Sequence, residues 1–182
     1  MFEHEFIKWK VLGMSSVKKA IGKKGRRKKE TPIEKSKRIE RDGYAIVRNL
    51  IEGLDGWTIS DLCTSKGTCD FTIAPAASPL LARRVEMKAS AADPPNFVGA
   101  DVKSAGKRDR ASLWDCRTFA DVMVFVHFPV PTDYGIYIVP IREEFKQLLS
   151  VEKIERIDTL SGKVKRCSTA AEFIAEWKKC IT

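Results

Sequence analysis

Arg83-Arg84-Val85-Glu86-Met87-Lys88 is the stretch on which the fold of this 182-residue chain turns. In an extended strand, side chains two apart share a face, so Glu86 and Lys88 project together, roughly 6–7 Å apart. Met87 points the opposite way, into apolar packing. Sixteen residues before Glu86, Asp70 opens a second apolar run, Asp70-Phe71-Thr72-Ile73-Ala74. With both runs as neighbouring strands, two carboxylates and an ammonium converge at one sheet edge. Pro75 and Pro79 bound the turn between them, and Leu80 to Lys88 is expected to form the second strand.

Working outward, Thr31-Pro32-Ile33-Glu34 reads as a helix start. Thr31 caps, Pro32 suits the first helical position, and Glu34 completes a capping box. Ile39, Tyr44, Ile46, Val47, Leu50, Ile51 and Leu54 recur at largely helical spacing. Gly43 costs about 1 kcal/mol relative to Ala and marks an expected kink or break. Gly53 to Gly56 turns the chain, Trp57 to Cys63 alternates as a strand, and Thr64 to Thr68 links to Asp70. The front of 89–120, with Pro94-Pro95 and Gly99, reads as loop. Ser104 to Phe119 is expected to be helical, with Lys107, Arg108 and Arg110 on its exposed face. Val122 to Phe128 is a nearly unbroken apolar run, typical of a strand covered on both faces. Tyr134 to Val139 gives another strand and Arg142 to Leu149 a short helix. Ser161-Gly162 is expected to turn a small hairpin, and Thr169 with Glu172 caps a last helix carrying Phe173, Ile174 and Trp177. The order implies an α/β domain over 31–182, a mixed central sheet flanked by helices, preceded by a basic N-terminal arm over 1–30.

The net charge of +9 is concentrated at one end. Residues 1–42 hold 14 Lys/Arg against 6 Asp/Glu, while 43–182 hold 19 against 18. Eight basic residues and no acidic one lie between Ser15 and Lys29, among them Lys23, Lys24, Arg26, Arg27, Lys28 and Lys29. Such a block suits counterion-releasing contact with a phosphate backbone. A solubilising tail or a targeting signal is the plainer alternative. The block lacks the interleaved apolar anchors of a membrane-surface segment, and no apolar stretch approaches the roughly 20 residues of a membrane span. Five cysteines, odd in number and without a CxxC, fit a reduced intracellular protein with thiols packed as small core residues. His4 and His127, the two histidines, are too far apart in sequence to favour a His/Cys zinc site.

Two carboxylates beside a lysine are a donor set for hard cations. Mg²⁺ takes carboxylate, carbonyl and water oxygens and keeps several waters, so two protein carboxylates plus a substrate phosphate suffice. A lysine beside such an ion is placed to hold or help deprotonate a water and to offset phosphate charge. An acid followed two residues later by Lys also occurs at Asp101, Glu144 and Glu176. Glu144 and Glu176 fall in expected helices, where such a pair does not share a face, and Asp101 lacks an obvious strand.

With Asp70, Glu86, Met87 and Lys88 in that arrangement, residues 34–140 resemble the PD-(D/E)XK nuclease superfamily, which includes restriction enzymes, Holliday-junction resolvases and some homing endonucleases. The resemblance implies a restriction-endonuclease-like fold and a Mg²⁺- or Mn²⁺-dependent endodeoxyribonuclease. It implies Asp70, Glu86 and the Met87 carbonyl as metal ligands and Lys88 as the water-orienting residue. Many members add an acid from the leading helix: Glu40 is the candidate here, with Glu34 or Glu52 as alternatives. Cys69 departs from the Pro frequent at that position, and the interval from Asp70 to Glu86 is long. DNA is the implied substrate, with RNA left open as a second one, and double-strand or junction cleavage by one site per chain implies a homodimer or higher oligomer. Lys66, Lys107, Arg108 and Arg110 join the arm as nucleic-acid contacts. Ser90 reads as a polar strand end or a substrate contact. His127, Trp57, Trp114, Trp177, Tyr134 and Tyr137 read as packing residues. Two other classes compete: a non-catalytic nucleic-acid-binding protein, and a structural ribonucleoprotein or virion component tethered by its arm.

Overall fold

The computed structural model describes residues 30–61, 69–99, 101–104, 107–110, 112–130 and 133–181, with only the backbone of 101–104 and 107–110. Thr31–Thr182 forms one compact unit. Helix α1, Pro32–Glu52, begins with the expected capping box: the Thr31 hydroxyl accepts from the Glu34 N–H, and the Glu34 carboxylate accepts from the Thr31 N–H. Strands β1 (Trp57–Ile59), β2 (Phe71–Pro75) and β3 (Arg83–Ser90) follow as an antiparallel meander. Two further strands, Val122–Val130 and Asp133–Pro140, complete the centre; they are β7 and β8, because β4 (Phe97–Val98), β5 (Asp101–Ser104) and β6 (Lys107–Arg110) intervene. Helices α2 (Lys146–Leu149), α3 (Ile157–Ser161) and α4 (Ala170–Ile181) and the two-residue strands β9 (Lys153–Ile154) and β10 (Arg166–Cys167) finish the chain.

The main sheet is mixed, ordered β1-β2-β3-β7-β8-β10, with β3 and β7 the parallel pair. Strict alternation along β7 and β8 splits the core into two layers. Val122, Val124, Val126, Ile136 and Ile138 pack with Val85 and Met87 under α1 and α4. Met123, Phe125, Tyr137 and Val139 face the other way, onto Phe97, Leu113, Trp114, Leu149 and Leu160. This is the two-sided cover that an unbroken apolar strand requires. Among the described residues, no helix is long and apolar enough to cross a membrane.

The elements differ from expectation in several places. Helix α1 runs through Gly43 without a break, because the glycine serves packing: a Cβ added there would stand 2.7 Å from the Ala89 Cβ on β3. β3 starts late, since Pro79–Leu81 winds into a 3₁₀ turn that leaves Leu80 fully exposed. The expected helix over Ser104–Phe119 is instead the end of a two-stranded ribbon, β5 with β6, followed by a 3₁₀ segment, Leu113–Thr118. Lys107-Arg108-Asp109-Arg110 offers a helix no apolar stripe to bury, whereas pairing with β5 satisfies its backbone. Lastly, Ser161-Gly162 ends α3, with the Gly162 N–H bonded to the Asp158 carbonyl, and turns no hairpin. Trp57 opens the expected strand, of which 57–59 is extended and 62–63 lies outside the described residues.

Candidate metal and phosphate site

β2 stops pairing with β3 at Phe71–Val85, and the site is built where the two part. The Asp70 N–H still donates to the Val85 carbonyl at 2.8 Å. One step further, the Asp70 carboxylate replaces the missing backbone and accepts the Met87 N–H at 2.7 Å. Asp70 therefore leaves the regular register, its N–H on Val85 and its carboxylate on Met87, which brings that carboxylate next to the Glu86–Lys88 stretch of β3. Glu86, Lys88 and Ser90 share the face of β3 that looks toward Met123 and Phe125, and Met87 packs on the opposite face beneath α1.

Glu86 is 6% exposed, so its charge needs a partner, and Lys88 supplies it: Nζ stands 2.5 Å from Glu86 Oε1. A pair this deep costs desolvation that only good geometry offsets. Burial alone would push the Lys88 ammonium down. The charge of Glu86 and its hydrogen bond outweigh that, with smaller help from Cys116 and Asp70, so the ammonium is held above its ordinary value. Lys88 is thus a hydrogen-bond donor and a fixed positive charge, not a proton acceptor. Asp70 moves the other way: burial first, then the Glu86 charge, push its carboxyl up to about 6, against the pull of the Met87 N–H and Lys88, and Glu40 adds to the rise.

Of the α1 acids, Glu40 is the one that reaches this place. It lines a groove of about 640 Å³ together with Met87 and Lys88. Glu34 is spent on the Thr31 cap, and Glu52 pairs with Arg48 at the far end of the helix. Cys116, buried in the 3₁₀ segment, senses Glu86, Lys88 and Asp70; burial above all pushes its thiol up to about 11, so it is a neutral neighbour of the pair.

The donor set fits a hard divalent cation in kind. Asp70 and Glu86 are adjacent carboxylates whose mutual repulsion already raises the Asp70 pKa, and a cation between them relieves it. A strand residue's N–H and C=O point to the same side, so the Met87 carbonyl faces Asp70's edge. Even so, among the described residues no three His, Cys, Asp or Glu groups stand close enough to enclose an ion by themselves.

Other sequence-derived candidates fall elsewhere. Lys107, Arg108 and Arg110 lie on β6, opposite Ser104, Lys103 and Asp101. Lys23, Lys24, Arg26, Arg27, Lys28, Lys29 and Lys66 lie outside the described residues. Asp101-Val102-Lys103 does form a strand, contrary to expectation, but in the separate β5–β6 ribbon. His127 Nε2 lies 2.9 Å from the Ala92 carbonyl, and Trp114, Trp177 and Tyr137 are buried in the two core layers, the packing roles expected of them. Lys35, Ser36 and Asn96, all lining the groove, carried no sequence signal, because a polar residue on an exposed helix face or in a loop has no pattern of its own. Comparisons with protein-family models, with curated proteins and with solved structures found no match.

Proposed function

We propose that this protein is a Mg²⁺- or Mn²⁺-dependent endodeoxyribonuclease of restriction-endonuclease-like fold, hydrolysing DNA phosphodiester bonds. The observation that carries this reading is the meeting of Asp70, Glu86 and Lys88 on neighbouring strands where β2 leaves β3, beside a groove. Asp70, Glu86 and the Met87 carbonyl would hold the cation, which when bound supplies a more acidic water and neutralises phosphate charge. Lys88, fixed as an ammonium by Glu86, donates to the attacking water or to a non-bridging phosphate oxygen and so orients the attack. Glu40, which lines the groove, would accept the proton that the water gives up. The water oxygen forms the new P–O bond as the bond to the leaving sugar oxygen breaks, and that oxygen takes up a proton from solvent. The Arg- and Lys-rich arm over 1–30 adds sequence-independent affinity. The reading extends to an intracellular homodimer, since cutting two strands needs two such sites.

The test is cleavage of plasmid DNA and of RNA with Mg²⁺, with Mn²⁺ and with EDTA, for the wild type, Asp70→Ala and Lys88→Ala. Metal-dependent nicking lost in both variants, with DNA binding kept, is the expected result; cutting by either variant at the wild-type rate rejects the assignment. A second reading, a non-catalytic nucleic-acid-binding protein, is favoured by the Glu86–Lys88 pair being closed on itself. Salt-sensitive binding without cleavage in either metal would establish it.

A further inference from the structure

The groove opens beside Lys88, between the first turns of α1 and the 96–99 segment. Lys35, Ser36, Ile39 and Glu40 line one side, and Asn96 and Gly99 the other. Its floor is the end of β3 and the residues after it, Lys88 to Ala92, where Ala89, Ala91 and Ala92 keep the backbone uncovered. The far wall is held in place. Buried Ser90 accepts the Asn96 and Ala92 N–H groups at 3.0 and 3.3 Å, and His127 bonds the Ala92 carbonyl. β4 pairs with β9, and the Gly99 N–H donates to the Glu152 carbonyl at 2.8 Å. The Met87 N–H bond to Asp70 fixes the phase of the strand, so the Ala89 N–H and C=O face the same edge, along which no described strand pairs beyond Val85.

We propose, resting on the nuclease reading above, that this groove holds the unpaired strand flanking the scissile phosphate, so that the substrates are nucleic acids with a single-stranded stretch beside the cut: an overhang, a flap or a branch. Size is the first argument. At about 640 Å³ the groove falls in the range of small-ligand sites, roughly 300–1,000 Å³, the scale of a nucleotide or two. Charge is the second: exposed Lys35 on the α1 wall suits a phosphate of a strand lying in the groove, while Lys88 beneath it is held by Glu86. The third is the mixture of surfaces. Ile39 and the alanines offer an apolar floor to a sugar or base face, and the Asn96 carboxamide offers a donor and an acceptor to a base edge.

The experiment compares full-length wild type with Lys35→Glu, Ser36→Trp and Lys37→Glu. Residues 35, 36 and 37 are all exposed on α1, so none of these changes disturbs the core, and Lys37, absent from the groove lining, is the charge-matched control. Binding of a labelled overhang-bearing duplex and of its blunt counterpart is read by fluorescence anisotropy in EDTA, and kcat/KM for both in Mg²⁺. Lys35→Glu and Ser36→Trp should weaken overhang binding about tenfold, Lys37→Glu less than about threefold, and blunt-duplex binding should change little in any of them. A wild type that binds blunt duplex as well as overhang, or a Lys35→Glu no worse than Lys37→Glu, overturns the assignment. If the expected binding contrast appears and nothing is cut in Mg²⁺ or Mn²⁺, the hydrolase reading falls and the groove stands. If the wild type cuts while Lys35→Glu and Ser36→Trp behave as Lys37→Glu, the groove falls and the hydrolase stands.

Discussion

Glu86-Met87-Lys88 and Asp101-Val102-Lys103 carry the same acid-x-lysine pattern, and both fold as strands. β3 lies inside a six-stranded sheet, flanked by β2 and β7 and covered by α1. Among the described strands β5 pairs with β6 alone, its Asp101 and Lys103 set opposite Arg110 and Arg108. In β3 burial strips water from the pair, a second carboxylate arrives from β2, and a groove leads to it. In the ribbon the register sets Asp101 and Lys103 opposite two arginines, and the second acid there, Asp109, stands opposite Val102. The contrast teaches that spacing places two side chains together, while reactivity comes from what the surrounding elements add.

The sharpest way to break the contrast is catalytic. Lys88→Ala should lower cleavage by about 10³-fold or more, whereas Lys103→Ala should change it less than about threefold; a steady-state assay in Mg²⁺ reads both. Equal losses would make the two strands equivalent.

Stability separates them next. Lys88→Met leaves the buried Glu86 carboxylate without its partner and should cost about 3–5 kcal/mol in urea unfolding without metal. The double variant Glu86→Gln/Lys88→Met should recover most of that loss. Lys103→Met should stay within about 0.5 kcal/mol of wild type.

Asp70 gives a smaller effect with a pH signature. Its folded pKa, about 6, lies above the ordinary 3.8, so folding disfavours the ionised form. Its contribution to stability is full below about pH 4 and is lost as pH rises through 6. Asp70→Asn keeps an acceptor for the Met87 N–H and removes the charge, so the metal-free variant should gain about 2 kcal/mol at pH 8 and nothing at pH 3.5. On the proposed metal site, Mn²⁺ should raise the thermal midpoint of the wild type, the rise should fade below pH 6 as protons compete for the carboxylate, and the same substitution should abolish it. Asn that destabilises at pH 8 would show that Asp70 is a structural cap alone.

The cover over β3 gives the smallest effect. Gly43→Ala should destabilise by about 1 kcal/mol, although alanine is the better helix former by a similar amount, because its Cβ would meet Ala89 at 2.7 Å. A more stable variant would show that α1 has room to lift from the strand.

The helix start, the meander and the two apolar central strands were legible because each rests on local chemistry. Thr31, Pro32 and Glu34 form a capping box from three neighbouring residues, and the apolar run of β7 reads as a strand buried on both sides. The ribbon was not legible, since Lys107 to Arg110 has neither alternation nor an apolar stripe, and only pairing with β5 decides its form. Glu86 and Lys88 could be paired from the two-residue period. That the Asp70 carboxylate reaches the Met87 N–H beside Glu86 depends on how the chain leaves the β2–β3 ladder.

By itself the sequence determined which residues cap, turn and alternate, since propensity and period act over a few residues, and it placed the excess positive charge at one end. Tertiary structure alone decided that Glu86 is buried, that Lys88 stays charged beside it, that the Asp70 carboxyl is pushed up to about 6, and that Lys35 and Asn96 share a groove. Burial, register and the raised or lowered cost of a charge are set by segments distant in the chain, and no local pattern carries them.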